Sequence, residues 1–129
     1  MHMTPEQKIK WAILNLAAIW NKTPAPVVTD ENIDKLYQEL VDVDGHWDAK
    51  EEIRTSGEET KIPCTEYSRH YECESVAAEM PDGTWVGWTH WHGGGKHSNP
   101  SSIDWMDKAY NVSLKEEEKI VIVREFSKQ

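Results

Sequence analysis

The pentapeptide Met80-Pro81-Asp82-Gly83-Thr84 constrains this chain more than any other stretch, because its residues are those of a tight turn. Proline presets the backbone for the first turn position, Asp favours the second, and Gly83 supplies a left-handed residue without steric cost. The flanking segments, 71–80 and 84–92, are rich in strand formers, so the stretch from Tyr71 to His92 reads as a β-hairpin. Placing Met80 opposite Thr84 fixes the register. Val76 then faces Trp88, Ala78 faces Val86, Glu74 faces His90 and Glu72 faces His92. On the other face Cys73 opposes Trp91 and Glu79 opposes Trp85. A slip of one residue would exchange the two faces, so every site placed on the hairpin depends on the turn.

Two helices are predicted ahead of it. Thr4-Pro5-Glu6-Gln7 combines a capping threonine, a proline at the first helical position and a glutamine that completes a capping box. Ile9, Ile13, Leu16 and Trp20 follow on one face, while Trp11, Leu14 and Ala18 lie opposite. A helix apolar on both sides is either wrapped deeply by its own chain or docked on a second copy as a homodimer. A second helix opens at Thr29, with Val28 stapling onto Ile33 and Ile33, Leu36, Tyr37 and Leu40 as its stripe; Gly45 ends it. The charged middle carries weak strand signals at 52–55 and 60–62. A third helix is expected from Asn99-Pro100, burying Ile103, Met106 and Tyr110. Ile120 to Val123 is β-branched throughout and reads as a central last strand.

This order makes one α+β domain over 1–129. Two N-terminal helices precede a small antiparallel sheet of three to five strands, with one helix inserted before the last strand. The run from Trp11 to Trp20 superficially resembles a secretory signal. Asn15 interrupts it, no small-residue cleavage site follows, and it is too short to span a bilayer. Cys64 and Cys73 are too few for a disulfide scaffold and have no metal-knuckle spacing, so two reduced thiols and a cytoplasmic location are expected.

Several residues carry candidate chemistry. Alternate residues of a strand share a face, so His90 and His92 could ligate one metal, with Glu72 and Glu74 opposite them and His97 arriving from the following loop. The same four residues equally describe two cross-strand Glu–His pairs. The segment 93–98 contains Gly94, Gly95, Lys96 and His97 ahead of the expected third helix, and its backbone N–H groups could hold an anion. It lacks the phosphate-loop pattern, and a simple connection explains its glycines as well. Trp85 and Trp91 share a face and offer a platform for a sugar or peptide, whereas Trp88 is expected in the core. No nucleophile motif accompanies Ser101, Ser102 or either cysteine, and no carboxylate pair stands out for acid–base work.

Charge then separates the function classes. The chain has 23 Asp and Glu against 14 Lys and Arg, a formal net charge of −9. Such a surface repels phosphate backbones and anionic membranes and attracts basic proteins. The expected role is a non-enzymatic binding or inhibitory protein acting on a basic partner, with no cofactor. An accessory protein of a phage or other mobile element, or an immunity protein covering a basic toxin, would have this character. The alternatives are a metal-dependent enzyme on His90, His92, Glu72 and Glu74, and a small-ligand binder on the glycine loop.

Overall fold

A computed structural model describes residues 2–93, 100, 103–116 and 124–128. Three helices, α1 (Pro5–Trp20), α2 (Ile33–Asp42) and α3 (Trp47–Thr55), precede a four-stranded antiparallel sheet. Its strands are β1 (Glu58–Glu59), β2 (Glu72–Glu79), β3 (Trp85–His92) and β4 (Tyr110–Val112), ordered as they occur in the chain. The α+β class is as expected.

The hairpin has the predicted register, with Val76 on Trp88, Ala78 on Val86, Glu74 on His90, Glu72 on His92, Cys73 on Trp91 and Glu79 on Trp85. Met80 N–H donates to the Thr84 carbonyl at 2.7 Å, and Gly83 adopts φ of 84° in the turn. Asp82 accepts from both the N–H and the hydroxyl of Thr84, which stiffens the tip. Val76, Val86 and Trp88 are buried with Ile9, Ile13 and Ala17 of α1 and Ala49 of α3 in the main core.

The apolar helix α1 is wrapped by its own chain. Thr4 and Gln7 form the reciprocal capping box, at 3.2 and 2.9 Å. One face joins the main core, and the opposite face, with Leu14 and Trp11, packs against Ile33 and Leu36 of α2 and against Val28. Trp11 and Leu14 therefore need no second copy to cover them. The turn that leads into α2 is closed by Thr29 and Asn32, which exchange side-chain and backbone hydrogen bonds of 2.7 and 3.2 Å, and Asn32 rather than the expected Thr29 stands at the N-cap, without a side-chain bond to the helix. No helix among the described residues is long and apolar enough to cross a membrane.

Three expectations are corrected. The weak strand signal at 52–55 is part of α3, since Ala49, Lys50, Glu51, Glu52 and Arg54 all favour helix. Glu58–Glu59 pairs with β2 as β1, and just past it the Thr60 N–H still donates to the Ser75 carbonyl of β2 at 3.1 Å. Among the described residues 103–110, the helix expected over Ile103, Met106 and Tyr110 does not form. Residues 103–109 form turns, and the neighbours Trp105 and Met106 are both buried, Trp105 against Trp88 with ring centroids 5.3 Å apart. Tyr110 starts β4 and pairs with Gly87. The strand expected at Ile120 to Val123 lies outside the described residues.

The third correction concerns the cysteines. Cys64 and Cys73 are joined by a disulfide, with Cα atoms 6.3 Å apart. Cys73 points to the sheet face away from the helices, and the segment 60–71 returns across that face and brings Cys64 alongside. Glu66 fastens the same segment, accepting from the Thr89 hydroxyl and facing Lys108 Nζ at 3.1 Å. Both sheet faces are thus covered, and Ser75, Ala77 and Trp91 are buried on the second.

Arg54 joins helix to sheet. Its residue is only 7% exposed. The Met80–Thr84 bond sets the alternation along β3, so the Trp91 carbonyl turns away from β2, and β4 reaches no further along β3 than Gly87. Arg54 Nη1 donates to that carbonyl at 2.9 Å, and the Arg54 carbonyl accepts from the Trp88 indole at 3.2 Å. Glu51 holds the rest of the guanidinium through two bonds of 3.0 and 2.8 Å. The next turn is close-packed as well, because a Cβ on Gly57 would lie 2.6 Å from Val76 and 3.1 Å from Trp88.

Replacing Arg54 by Met keeps aliphatic volume but leaves the Trp91 carbonyl without its donor. The expected loss of unfolding free energy is about 1–3 kcal/mol, the penalty of an orphaned buried acceptor. Urea denaturation measures it, and a change under about 0.5 kcal/mol, the usual range of surface substitutions, would contradict the role given to Arg54.

Candidate functional site

The strand pairing places the sequence-nominated residues. His90 Nδ1 lies 3.1 Å from Glu74 Oε1, and His92 Nδ1 lies 3.8 Å from Glu72 Oε2. The two imidazoles are neighbours on one face, with centroids 5.8 Å apart. Each histidine faces its own glutamate, which is the arrangement of two cross-strand pairs. Among the described residues no group of three or more His, Cys, Asp or Glu is arranged to hold a metal ion. Gly94, Gly95, Lys96 and His97 lie outside the described residues.

Trp85 and Trp91 do not form a joint platform. They share a sheet face but stand six residues apart on β3, about 20 Å at the rise of a strand. Trp91 is 6% exposed, beneath the segment that the disulfide fastens. Trp85 is partly exposed and lies in a trough of about 590 Å³ with Ile62, Ala77, Val112 and Leu114. Glu58, Glu59, Lys61 and Lys115 rim this trough, so its charge favours neither sign of ligand.

A second concavity was not legible in the sequence. The C-terminal ends of α1 and α2 meet the start of α3 around a cleft of about 240 Å³, lined by Trp20, Asn21, Asp44, Gly45, Trp47 and Asp48. Both helices close with a left-handed residue. Lys22 (φ 56°) follows α1, and Asp44 (φ 55°) follows α2. In each case the next N–H bonds back to the helix, Thr23 to the Ala18 carbonyl and Gly45 to the Leu40 carbonyl, both at 3.0 Å. These reversals turn the chain sharply and bring the ends of two helices to one place.

The indoles are the exposed part of this cleft. Trp20 is 47% and Trp47 61% exposed, and Ile19 and Val43, each next in sequence to a cleft residue or its neighbour, are exposed too. Large apolar groups gathered at a surface mark interaction sites more often than chance placement does. Trp47 is held by His46, whose ring lies 4.3 Å from its own and edge-on to Tyr37 at 6.2 Å. His46 is 5% exposed, and its Nδ1 is buried without a hydrogen-bond partner in the chain. Asp44 and Asp48 supply negative charge, and the cleft lining contains no Lys, Arg or His. The arrangement suits a flat or compact cation and gives no nucleophile or acid–base pair to act on one.

Burial, with a smaller push from Lys50, holds the His46 imidazole below its ordinary pKa of 6.5, against an opposing pull from Asp44. The unfolded chain therefore binds the extra proton first. The contribution is fully present above pH 6.5 and falls as the pH drops from there through the lowered folded value. Glu51, held down by the Arg54 guanidinium, and Glu66, held down by the Thr89 hydroxyl, lose their contributions only below their ordinary 4.5. Urea midpoints measured from pH 8 to pH 5 should decline in the native protein and decline less in His46→Phe, which keeps a ring against Trp47. Equal slopes would show that His46 does not titrate as its burial requires. Neither a protein-family model, nor a curated protein, nor a solved structure matches this chain, so the functional reading rests on its geometry and charge.

Proposed function

We propose that the chain is a small acidic binding or inhibitory protein acting on a basic partner, without catalysis of its own. The observation that carries this reading is the acidic surplus, a net charge of −9 on 129 residues. Lys8, Lys10, Arg54 and Lys108 already face carboxylates of the chain itself. The acids in excess lie at the surface. Glu31, Glu52, Glu58, Glu59 and Glu116 are exposed, while Asp30 and Glu51 are partly so. A field of one sign over a small body accelerates encounter with the opposite sign and suppresses encounter with nucleic acid. A basic nucleic-acid-binding protein whose phosphate-binding surface is covered, or a basic toxin held inactive, fits that chemistry. The cytoplasmic location rested on reduced thiols, and the Cys64–Cys73 bridge removes that support, because such bridges persist in oxidising surroundings.

The test is the salt dependence of association with the partner recovered by affinity capture. The Debye length falls from about 10 Å at 0.1 M to about 3 Å at 1 M, so the association rate constant should fall by about tenfold or more over that range. Glu31→Lys with Glu52→Lys should slow it further at low salt and leave dissociation nearly unchanged. A rate constant indifferent to salt would reduce the acidity to a solubility device.

A further inference from the structure

The cleft at the meeting of the three helices has a chemistry narrower than acidity. Two indoles stand half-exposed on its lining, two carboxylates share it, and no basic group does. The helix ends add to the negative potential. The last carbonyls of α1 (Pro5–Trp20) and α2 (Ile33–Asp42) carry the partial negative charge of their helix dipoles into the same region. The start of α3 brings the opposite sign, but Asp48 in its first turn counters it. Size sets a further limit. At about 240 Å³ the cleft is smaller than the usual small-molecule pocket of about 300–1,000 Å³, and it suits one side chain.

We propose that this cleft receives an arginine side chain of the basic partner, with the guanidinium against Trp20 and Trp47 and its N–H groups on Asp44 and Asp48. The proposal rests on the reading of the chain as a binder of basic proteins, and adds where on the surface recognition occurs. Arginine is favoured over lysine for physical reasons. Its planar, weakly hydrated head stacks on an indole, and its fixed fork of donors meets carboxylates in pairs, whereas an ammonium is compact and strongly hydrated. Trp47 rests on the buried His46 ring, with centroids 4.3 Å apart, which reduces the side-chain freedom to be lost when a ligand stacks on it.

The experiment uses the whole, unreduced protein and a labelled glycine-spaced peptide with two arginines. Matched peptides carry lysine or the neutral isostere citrulline at those positions. Fluorescence anisotropy at about 0.1 M salt, where the Debye length is about 10 Å, gives the affinities. Trp47→Ala and Asp48→Asn should each weaken the arginine peptide at least about fivefold, a cation–π contact being worth roughly that when partly desolvated. The lysine peptide should bind more weakly and the citrulline peptide not measurably. Glu79→Gln removes one exposed negative charge beside the hairpin tip, which lies at the N-terminal end of α1 where Lys8 meets Asp82, and should leave affinity within about twofold, since at that salt exposed charges beyond a Debye length are screened. Far-UV circular dichroism and thermal unfolding confirm each variant's fold. If Trp47→Ala proves unfolded, Asp44→Asn, tolerated in a left-handed position, takes its place. Arginine binding that falls equally in Glu79→Gln and Asp48→Asn would overturn the cleft as the site while leaving the acidic-binder reading intact. Absence of any arginine-peptide binding would overturn it too, and the acidic-binder reading would then stand or fall on its own salt test.

Discussion

The contact between α3 and β3 through Arg54 is the joint on which the rest of the fold depends. A helix lying on a sheet usually holds its position by apolar interdigitation alone, which is non-directional. Here the same residue gives a guanidinium to one β3 carbonyl and takes an indole N–H from three residues earlier on that strand. The two bonds fix α3 along the strand as well as against it. Trp88 is thereby locked at the centre of the core, and Trp105 packs on Trp88 from the returning chain. Gly57 can pass directly over Val76 and Trp88 only because α3 ends where Arg54 puts it. Placement of β1 follows from that close passage.

What could be read from the sequence followed from how local each determinant was. The hairpin was legible to the residue because a turn of five positions dictates which strand residues meet, and no distant contact is needed. The capping box of α1 was legible for the same reason. α3 was not, because the position that should complete its buried stripe is filled by Arg54, and an apolar pattern cannot register a buried cation. The segment 103–109 misled in the opposite sense. Ile103, Met106 and Tyr110 have helical spacing, yet Trp105 and Met106 both turn inward, which consecutive residues of a regular helix do not do to this degree. The disulfide was hidden because an eight-residue gap between cysteines says nothing about where the chain returns. That return depends on the sheet having a second face to cover.

The candidate sites divide along the same line. His90, His92, Glu72 and Glu74 were placed together correctly, since the turn alone sets their register. Trp85 and Trp91 were placed on one face correctly, but whether each is open depends on the segment 60–71, which sequence pattern did not position. The cleft between Trp20 and Trp47 is the extreme case. Its residues come from the end of α1, the turn between α2 and α3 and the start of α3, and their meeting depends on two helix reversals at non-glycine residues, Lys22 and Asp44. Glycine is the usual signal for such a reversal. Without it, only the high exposure of two tryptophans in the folded chain draws attention to the place.

Acidity and aromatic exposure do different things in binding, and the proposed reading gives them different places, the acids spread over the surface and the indoles gathered at one cleft. A net charge acts over a Debye length and therefore governs how often a basic body arrives, with little say over where it settles. Stacking on an indole acts only at contact and decides how long a correctly placed group stays. Acid alone would hold any basic surface loosely and exchange it quickly. On the proposed reading, the two indoles and two carboxylates of the cleft convert part of that diffuse attraction into a position and an orientation. The bearing of Trp47 on His46 matters in this respect, because a recognition surface that is already ordered gives up less freedom on binding. The sheet, covered on both faces, is fastened to α3 through Arg54 and closed over its second face by the segment that the disulfide holds.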